Sequence, residues 1–140
     1  MYDRLGDLPV FSPDQESDPP EPVVTLTGMI RKSDGLIIAS PEYVRSIPGG
    51  LKNAIDWLVS REELIHKPIA LMHASHRGDD MLAQLRLVLA TVSSGFLPEV
   101  FLKLELLHIP QPEIETHLSQ DKQRHDMEND LNRFSAAIET

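Results

Sequence analysis

The residues that could do chemistry are concentrated in two short polar segments. The first, Ser40 to Gly50, contains two prolines, two glycines, a glutamate and a tyrosine. The second, Ser75 to Asp79, contains a serine, a histidine, an arginine and a glycine. Neither segment shows a catalytic triad or paired catalytic carboxylates, and the chain has no cysteine to act as a nucleophile. We therefore expect the function to depend on a bound ligand, held chiefly by the first segment.

Histidines in the second segment raise the possibility of a metal site. The chain has six histidines, and His73 and His76 are the closest pair. No carboxylate lies at a zinc-type spacing from them, and no His-Glu-x-x-His motif occurs. We therefore expect no metal site, with His73 facing the core or the strand end and His76 in the loop.

Arg77 is the other candidate in the second segment. It could hold the phosphate of a nicotinamide cofactor through paired hydrogen bonds, although an arginine in a loop is more often simply exposed. No Gly-x-Gly-x-x-Gly or Gly-Lys-Ser/Thr sequence occurs, so neither a Rossmann dinucleotide site nor a P-loop is indicated.

A strand and a helix flank the first segment. The apolar run Leu36 to Ala39 predicts a strand covered on both faces. Apolar residues then recur at a helical spacing from Leu51 to Leu58, and Pro48 suits the start of that helix. In α/β folds, ligands bind at the carboxyl ends of the strands, which is where this segment begins.

The remaining elements follow from periodicity and turn residues. Residues 23 to 32 are ambiguous, and we prefer a helix there. Strands are expected at 68 to 74 and 99 to 104, a helix at 81 to 92, and a last helix capped by Ser119. The buried stripe expected on that last helix is Met127, Leu131, Phe134 and Ile138. Residues 2 to 5 could be a strand end. Residues 6 to 22 are expected to be an exposed connector, 62 to 66 a return loop and 107 to 118 a connector interrupted by prolines.

This alternation of strands and helices predicts an α/β fold with a mostly parallel sheet. Three strands are indicated, whereas a doubly wound domain usually has about five. Part of such a domain is therefore expected to be missing.

Composition narrows the class of protein. A length of 140 residues fits a single domain, and 41% hydrophobic with 25% charged residues is ordinary for a soluble protein. The net charge of -9 argues against a broad nucleic-acid surface. No apolar run is long enough for a membrane span, and the N-terminus does not resemble a signal peptide. We expect a cytoplasmic protein.

The sequence SDGLIIASPEYVRSIPGGLKNAIDWL, from Ser33 to Leu58, resembles the flavin-binding signature of the NADPH-dependent FMN reductase family. The specific elements are a strand, then Pro-Glu-Tyr, then Ser-Ile-Pro-Gly and a helix that begins Leu-Lys-Asn-Ala-Ile-Asp-Trp. This flavodoxin-like family includes chromate, quinone and azo-dye reductases. The resemblance extends over essentially the whole chain from Tyr2 onward.

The resemblance implies a flavodoxin-like α/β/α fold, FMN as cofactor, and NADPH or NADH as electron donor. Hydride would pass to FMN and then to a small-molecule acceptor such as a quinone. A homodimer or homotetramer is implied, with the flavin near the subunit boundary. The implied cofactor-binding residues are Pro41, Glu42, Tyr43, Ser46, Ile47, Pro48, Ser75, His76, Arg77 and Gly78.

The residues themselves are compatible with this ligand. An isoalloxazine ring is flat, with one apolar and one polar edge, and rigid prolines, a flat tyrosine and backbone N–H groups offer surfaces for both. Tyr43 could stack on the ring or be an ordinary loop aromatic, and Glu42 could contact the ligand or be a solvated acid. Trp57 is expected in the core or at a subunit contact.

Two departures from the family pattern matter. Family members begin with a strand, a Gly-Ser-x-Arg-x-x-Ser phosphate loop, a helix and a second strand, and the chain is expected to start where that second strand ends. Val44 also replaces the asparagine that usually follows Pro-Glu-Tyr. These departures leave two alternatives open: a non-catalytic remnant or interaction module that does not hold FMN, and a misassigned start site of a longer protein.

Overall fold

The computed structural model describes residues 1–74, 78–104, 106 and 108–139. The chain forms six α-helices and three β-strands among these residues. The helices are α1 (Glu21–Lys32), α2 (Gly49–Leu58), α3 (Glu62–Ile65), α4 (Asp79–Val92), α5 (Ile114–Leu118) and α6 (Asp121–Ile138). The strands are β1 (Leu36–Ala39), β2 (Ile69–His73) and β3 (Phe96–Lys103). Short 3-10 helices lie at Leu5–Asp7, Pro13–Gln15 and Gln111–Glu113.

The three strands form one parallel sheet in the order β1-β2-β3. Leu36 is paired with Ile69, and His73 with Lys103, so all three strands have their carboxyl ends at the same edge of the sheet. An irregularity in the register between Ile69 and Leu71 accommodates the longer β3. The predicted α/β fold with a parallel sheet is confirmed.

The two faces of the sheet are covered by different helices. Ile69 and Leu71 of β2 belong to a large buried cluster with residues from α1, α2, α3 and α4. Ala70 points the other way, because side chains alternate along a strand, and it packs with Val100, Leu102 and Phe134 of α6. This arrangement confirms the expected layers of helix, sheet and helix.

Coverage of β1 is incomplete, contrary to the prediction. Leu36 and Ile38 pack against the large cluster, whereas Ile37 is 40% exposed and Ala39 is exposed too. Since β1 pairs with β2 alone among the described strands, its other edge is open. The prediction of two covered faces was wrong because a continuous apolar run does not reveal whether other elements pack on each face of a strand.

The N-terminal segment packs more closely than predicted. Residues 2 to 5 do not form a strand. Within the expected connector, Leu8 is buried and Phe11 meets the Trp57 ring edge-on, with centroids 5.1 Å apart. Trp57 Nε1 donates to Pro9 O at 2.8 Å, and Asn53 Oδ1 accepts from the Phe11 N–H at 2.8 Å. Helix α2 therefore holds this proline-rich segment against the core, which is where Trp57 lies.

Five smaller predictions also need correction. Residues 62 to 65 form the short helix α3, and part of the expected connector 107 to 118 forms a 3-10 helix and α5. Strand β3 begins three residues earlier than expected. Gln120, not Ser119, precedes α6. Of the expected stripe, Phe134 is buried, Met127 and Ile138 are half-buried, and Leu131 is 43% exposed.

Other helix predictions are confirmed, including α1, α2 just after Pro48, and α4. Among the described helices, none has the length and apolar character needed to cross a membrane.

Candidate functional site

A cavity of about 270 Å³ lies at the carboxyl ends of β1 and β2. Its lining is Ala39, Ser40, Pro41, Met72, His73 and Ala74. The first polar segment begins here, because Ser40 directly follows β1. The cavity is therefore in the crevice where α/β folds bind ligands.

Two larger cavities lie elsewhere. One of about 650 Å³ and one of about 330 Å³ border α5 and α6, and the second also reaches Lys103 at the end of β3. We favour the smaller cavity as the functional site, because it is bordered by two strand ends and by the first polar segment. The larger volume of the other two cavities does not mark them as functional, because they are grooves along α5 and α6.

His73 is a buried residue in the wall of the cavity. It is 3% exposed, and its Nδ1 lies 3.2 Å from Ser40 O. Gly78 covers the other ring nitrogen: a Cβ built on Gly78 would lie 2.7 Å from His73 Nε2, and Gly78 has a φ of +112°. Only glycine fits this position without strain and overlap. Gly78 thus helps to place the histidine, and its predicted role in binding a cofactor stays a prediction.

The first segment turns sharply at Val44 and Arg45. Tyr43 and Ser46 pair through two backbone hydrogen bonds of 3.1 and 3.0 Å. Between them, Val44 has a φ of 50° and Arg45 a φ of 59°. Positive φ at both central positions is the geometry of a two-residue hairpin turn that normally uses asparagine or glycine. The turn presents Tyr43, 62% exposed, and Val44, 98% exposed, to solvent.

Helix α4 holds this segment in place. Glu42 Oε2 accepts from the Met81 backbone N–H at 3.2 Å, so the carboxylate satisfies one free N–H in the first turn of the helix. Arg45 Nε donates to Asp80 Oδ2 at 2.6 Å, and this hydrogen bond raises the pKa of the Arg45 guanidinium. Glu42 therefore caps a neighbouring helix, which the sequence did not suggest, and its predicted contact with the ligand stays a prediction.

Gln84, one turn further along α4, bonds twice to the same segment. Ser46 Oγ donates to Gln84 Oε1 at 2.7 Å, and Gln84 Nε2 donates to Arg45 O at 3.0 Å. Gln84 was not among the predicted site residues, because nothing in the local sequence of α4 marks a contact 38 residues away. Met72 and Ala74 were missed as lining residues for a different reason: they read simply as parts of a buried strand and its end.

The structure brings part of the predicted set together. Pro41 lines the cavity, whereas Ile47 packs against the large core cluster and Pro48 directly precedes α2. Ser46 is half-buried and bonded to α4. Predictions for Ser75, His76 and Arg77 lie outside the described residues. Among the described residues, no group of three or more potential metal ligands is found.

Comparison with known proteins identifies the family. Residues 2–106 match the family model described as NADPH-dependent FMN reductase. The chain belongs to the NADPH-dependent FMN reductase family. Two curated members show its relation to this family. The quinone reductase of Escherichia coli (strain K12) is 43% identical over 75 residues, covering 51% of this chain and 40% of that protein. The NADPH azoreductase of Bacillus sp. (strain OY1-2) is 30% identical over 118 residues, covering 81% of this chain and 65% of that protein.

A solved structure agrees with this assignment. FerB, a flavoenzyme NAD(P)H:(acceptor) oxidoreductase from Paracoccus denitrificans, superposes with a TM-score of 0.62 at 25% identity. The match covers 96% of this chain and 75% of that one. The flavodoxin-like fold implied by the signature is therefore confirmed. The chain spans less than two thirds of the length of the two curated reductases described above.

The family implies FMN, and the described residues fit the ring part of that cofactor. The cavity at the strand ends combines apolar surface from Ala39, Pro41 and Met72 with the polar groups of Ser40 and His73. The phosphate part finds less support. Helix α4, which begins beside the cavity, carries Asp79 and Asp80 in its first turn, and carboxylates there repel a phosphate. The Gly-Ser-x-Arg-x-x-Ser motif does not occur in the 140 residues.

Proposed function

We propose that this member of the NADPH-dependent FMN reductase family is an FMN-binding, NAD(P)H-dependent oxidoreductase. The observation that carries the proposal is the cavity at the carboxyl ends of β1 and β2, bordered by Pro41 of the signature segment. A flat ring placed there would meet Pro41, Met72 and the backbone that follows Ser40. When bound, FMN supplies the chemistry, accepting hydride from NADPH or NADH and reducing an acceptor such as a quinone.

The protein's own groups position the ligand and shape its surroundings. Pro41 limits the freedom of the first segment, which lowers the cost of ordering it around a ligand. Tyr43 offers an exposed flat face beside the site. Glu42 and Ser46 contribute by fixing the segment to α4, and we keep Ile47, Pro48 and Gly78 in the proposed site as residues that shape its walls. No side chain needs to act as a nucleophile.

The nature of the acceptor follows from the relatives. Two of them are named quinone reductase and 2-hydroxy-1,4-benzoquinone reductase, and another is an NADPH azoreductase. We propose a small-molecule acceptor of this kind, a cytoplasmic location, and assembly as a homodimer or homotetramer. The net charge of -9 does not favour a nucleic-acid partner.

Titration of the purified chain with FMN tests the proposal. We expect the flavin to be retained on the protein and NADPH or NADH to be oxidised when a quinone is added. If flavin does not bind at micromolar concentrations, the proposed function of this chain is wrong.

The Tyr43→Ala variant tests the placement of the ring. Loss of an aromatic contact with a flat ligand should raise the Kd for FMN about tenfold. Since the side chain is 62% exposed, thermal stability should change little. An unchanged Kd in a protein that binds FMN would exclude Tyr43 from the site.

A second candidate function is an interaction module that keeps the fold without holding FMN. Two observations favour it: Asp79 and Asp80 lie in the first turn of α4, and the described strands leave one edge of β1 unpaired. A flavin phosphate carries about two negative charges, so these carboxylates would weaken its binding beside α4. Absence of flavin binding in the titration, with a folded protein, would support this alternative.

A further inference from the structure

The turn at Val44 and Arg45 is in a conformation that neither residue prefers. Both have positive φ values, 50° and 59°, and neither is glycine. Valine is the less suitable of the two, because a β-branched side chain is crowded in the left-handed region. Its side chain is 98% exposed, so packing does not stabilise this conformation. Contacts elsewhere must therefore keep the turn in place.

We propose that Gln84 of α4 is the positioning residue that holds this turn in the conformation required by the flavin-ring site. The structural argument is its pair of hydrogen bonds, accepted from Ser46 Oγ at 2.7 Å and donated to Arg45 O at 3.0 Å. One amide side chain thus fixes both residues on the side of the turn that leads to α2. The ligand in this proposal rests on the proposed function, whereas the hold on the turn does not.

The other contacts of the turn are weaker candidates for this role. The ion pair between Arg45 and Asp80 is exposed on both sides, with side chains 82% and 47% exposed, and such pairs contribute little in water. The Glu42 carboxylate contacts the Met81 N–H, but it lies before the turn and does not bond to either strained residue. The two Gln84 hydrogen bonds are exposed as well, but they join two residues of the turn to α4 at once. One of them is made by the backbone oxygen of Arg45, so Gln84 restrains the backbone of the turn more directly than the Arg45 ion pair does.

The position of Gln84 also links the two parts of the site. Tyr43 lies on one side of the turn and the cavity-lining Pro41 two residues earlier, so a change in the turn displaces the residues expected to contact the ring. Gln84 itself is on the helix that starts after the second polar segment. Helix α4 therefore holds the first segment through Gln84 as well as through its first turn.

Hydrogen exchange of the Ser46 amide, followed by NMR, tests the hold on the turn. The Gln84→Met variant keeps the length of the side chain and suits a helix, but it removes both hydrogen bonds. We expect protection of the Ser46 amide, which donates to Tyr43 O, to fall about tenfold. Gln15→Met is the matched control, because it makes the same change at an exposed position on another element. It should leave this protection unchanged.

Making Gln84→Met in a protein that already carries Val44→Asn tests the role of backbone strain. Val44→Asn places a residue that tolerates positive φ in the turn, so the turn depends less on Gln84. In that background, Gln84→Met should lower Ser46 protection about threefold instead of tenfold. An equal fall in both backgrounds would show that Gln84 does not act against strain, and it would overturn this mechanism.

FMN titration of the same variants decides the link to the ligand. We expect the Kd to rise several-fold in Gln84→Met and to stay at the parent value in Gln15→Met. Unchanged Ser46 protection in Gln84→Met overturns the proposal, as does lower protection with an unchanged Kd. If the parent chain does not bind FMN while protection falls as expected, the proposed function is overturned and the hold of Gln84 on the turn is supported.

Discussion

Val44 shows how one side chain can conflict with the backbone around it. The signature that this chain resembles usually has asparagine after Pro-Glu-Tyr, and the structure gives a backbone reason for that choice. Val44 has a φ of 50°, where asparagine is tolerated and a β-branched residue is not favoured. Valine at this position therefore carries a conformational cost that does not depend on ligand.

The Val44→Asn variant measures that cost. We expect the free energy of unfolding to rise by about 1 kcal/mol, because asparagine adopts the positive φ of this position with less strain than valine does. Val10→Asn is a suitable control, since Val10 is 85% exposed and its φ is not positive. Denaturant unfolding of both variants gives the comparison. A Val44→Asn protein no more stable than the Val10→Asn control would contradict the presence of strain.

Among the helices, α1 and α3 are joined by a partly buried ion pair between Arg31 and Glu63. The Glu63 side chain is 9% exposed, whereas Arg31 is 72% exposed. Burial raises the pKa of the Glu63 carboxyl, but hydrogen bonds from its own backbone and from Arg31 outweigh this effect and the net pKa is lowered. The carboxylate is therefore stabilised in the folded protein.

This lowered pKa predicts a pH dependence of stability. The unfolded pKa of glutamate is about 4.3, so the contribution of Glu63 is complete above that pH and is lost as pH falls through the lower folded pKa. Glu63→Gln should reduce stability by about 1 kcal/mol at pH 7 and flatten its decline in acid. Glu62→Gln, on the same helix but exposed, is the control. Unfolding curves between pH 7 and about pH 3 would refute the prediction if Glu63→Gln kept the slope of the parent.

Replacing either of two glycines by alanine should change the free energy of unfolding, in opposite directions for the two positions. A Cβ at Gly95, between α4 and β3, would lie 2.4 Å from Lys67 O, a backbone atom that cannot easily move. Gly95→Ala should therefore lower the free energy of unfolding by about 2 kcal/mol or more. Gly28, inside α1, has nothing within 4 Å of its Cβ position. Gly28→Ala should raise stability by about 1 kcal/mol, because glycine is a poor helix former.

Thermal unfolding of the two alanine variants checks this pair of predictions. Both changes add one methyl group, so changes in stability of opposite sign would result from the different surroundings of the two glycines. Equal effects would mean that the backbone at Gly95 adapts without cost.

At the scale of the whole molecule, the exposed edge of β1 is the surface that most needs explanation. Ile37 is 40% exposed, and the described part of the chain leaves one edge of this strand unpaired. An apolar edge without charge or proline is prone to pair with another chain. We expect reversible association of the isolated chain through this edge, increasing with protein concentration.

The Ile37→Lys variant tests that expectation. A lysine at this position points away from the large core cluster, so folding should be retained while association at a given concentration falls several-fold. Leu87→Lys, which changes a 71% exposed residue on α4, should leave association unaffected. Sedimentation velocity over a range of concentrations distinguishes the outcomes. Equal loss of association in both variants would point to general charge repulsion instead.

The local order of elements could be predicted from the sequence, because it depends on patterns that neighbouring residues carry. The apolar run of β1, the helical spacing of α2 and α4 and the turn residues between them indicated a strand–loop–helix fold with a site at the strand ends. The signature from Ser33 to Leu58 also indicated the family. The order of elements needs only the periods of 2 and 3.6 residues and the conformational preferences of proline and glycine. The family was indicated by resemblance alone.

Contacts between distant residues required the tertiary structure. The packing of Phe11 on Trp57 contradicted the expected exposed connector, and the capping of α4 by Glu42 was not predicted from the sequence. The exposure of Ile37 and the hydrogen bonds of Gln84 to the turn likewise could not be predicted from the local sequence. Each depends on which elements become neighbours in space, and the spacing of residues along one element carries no information about that.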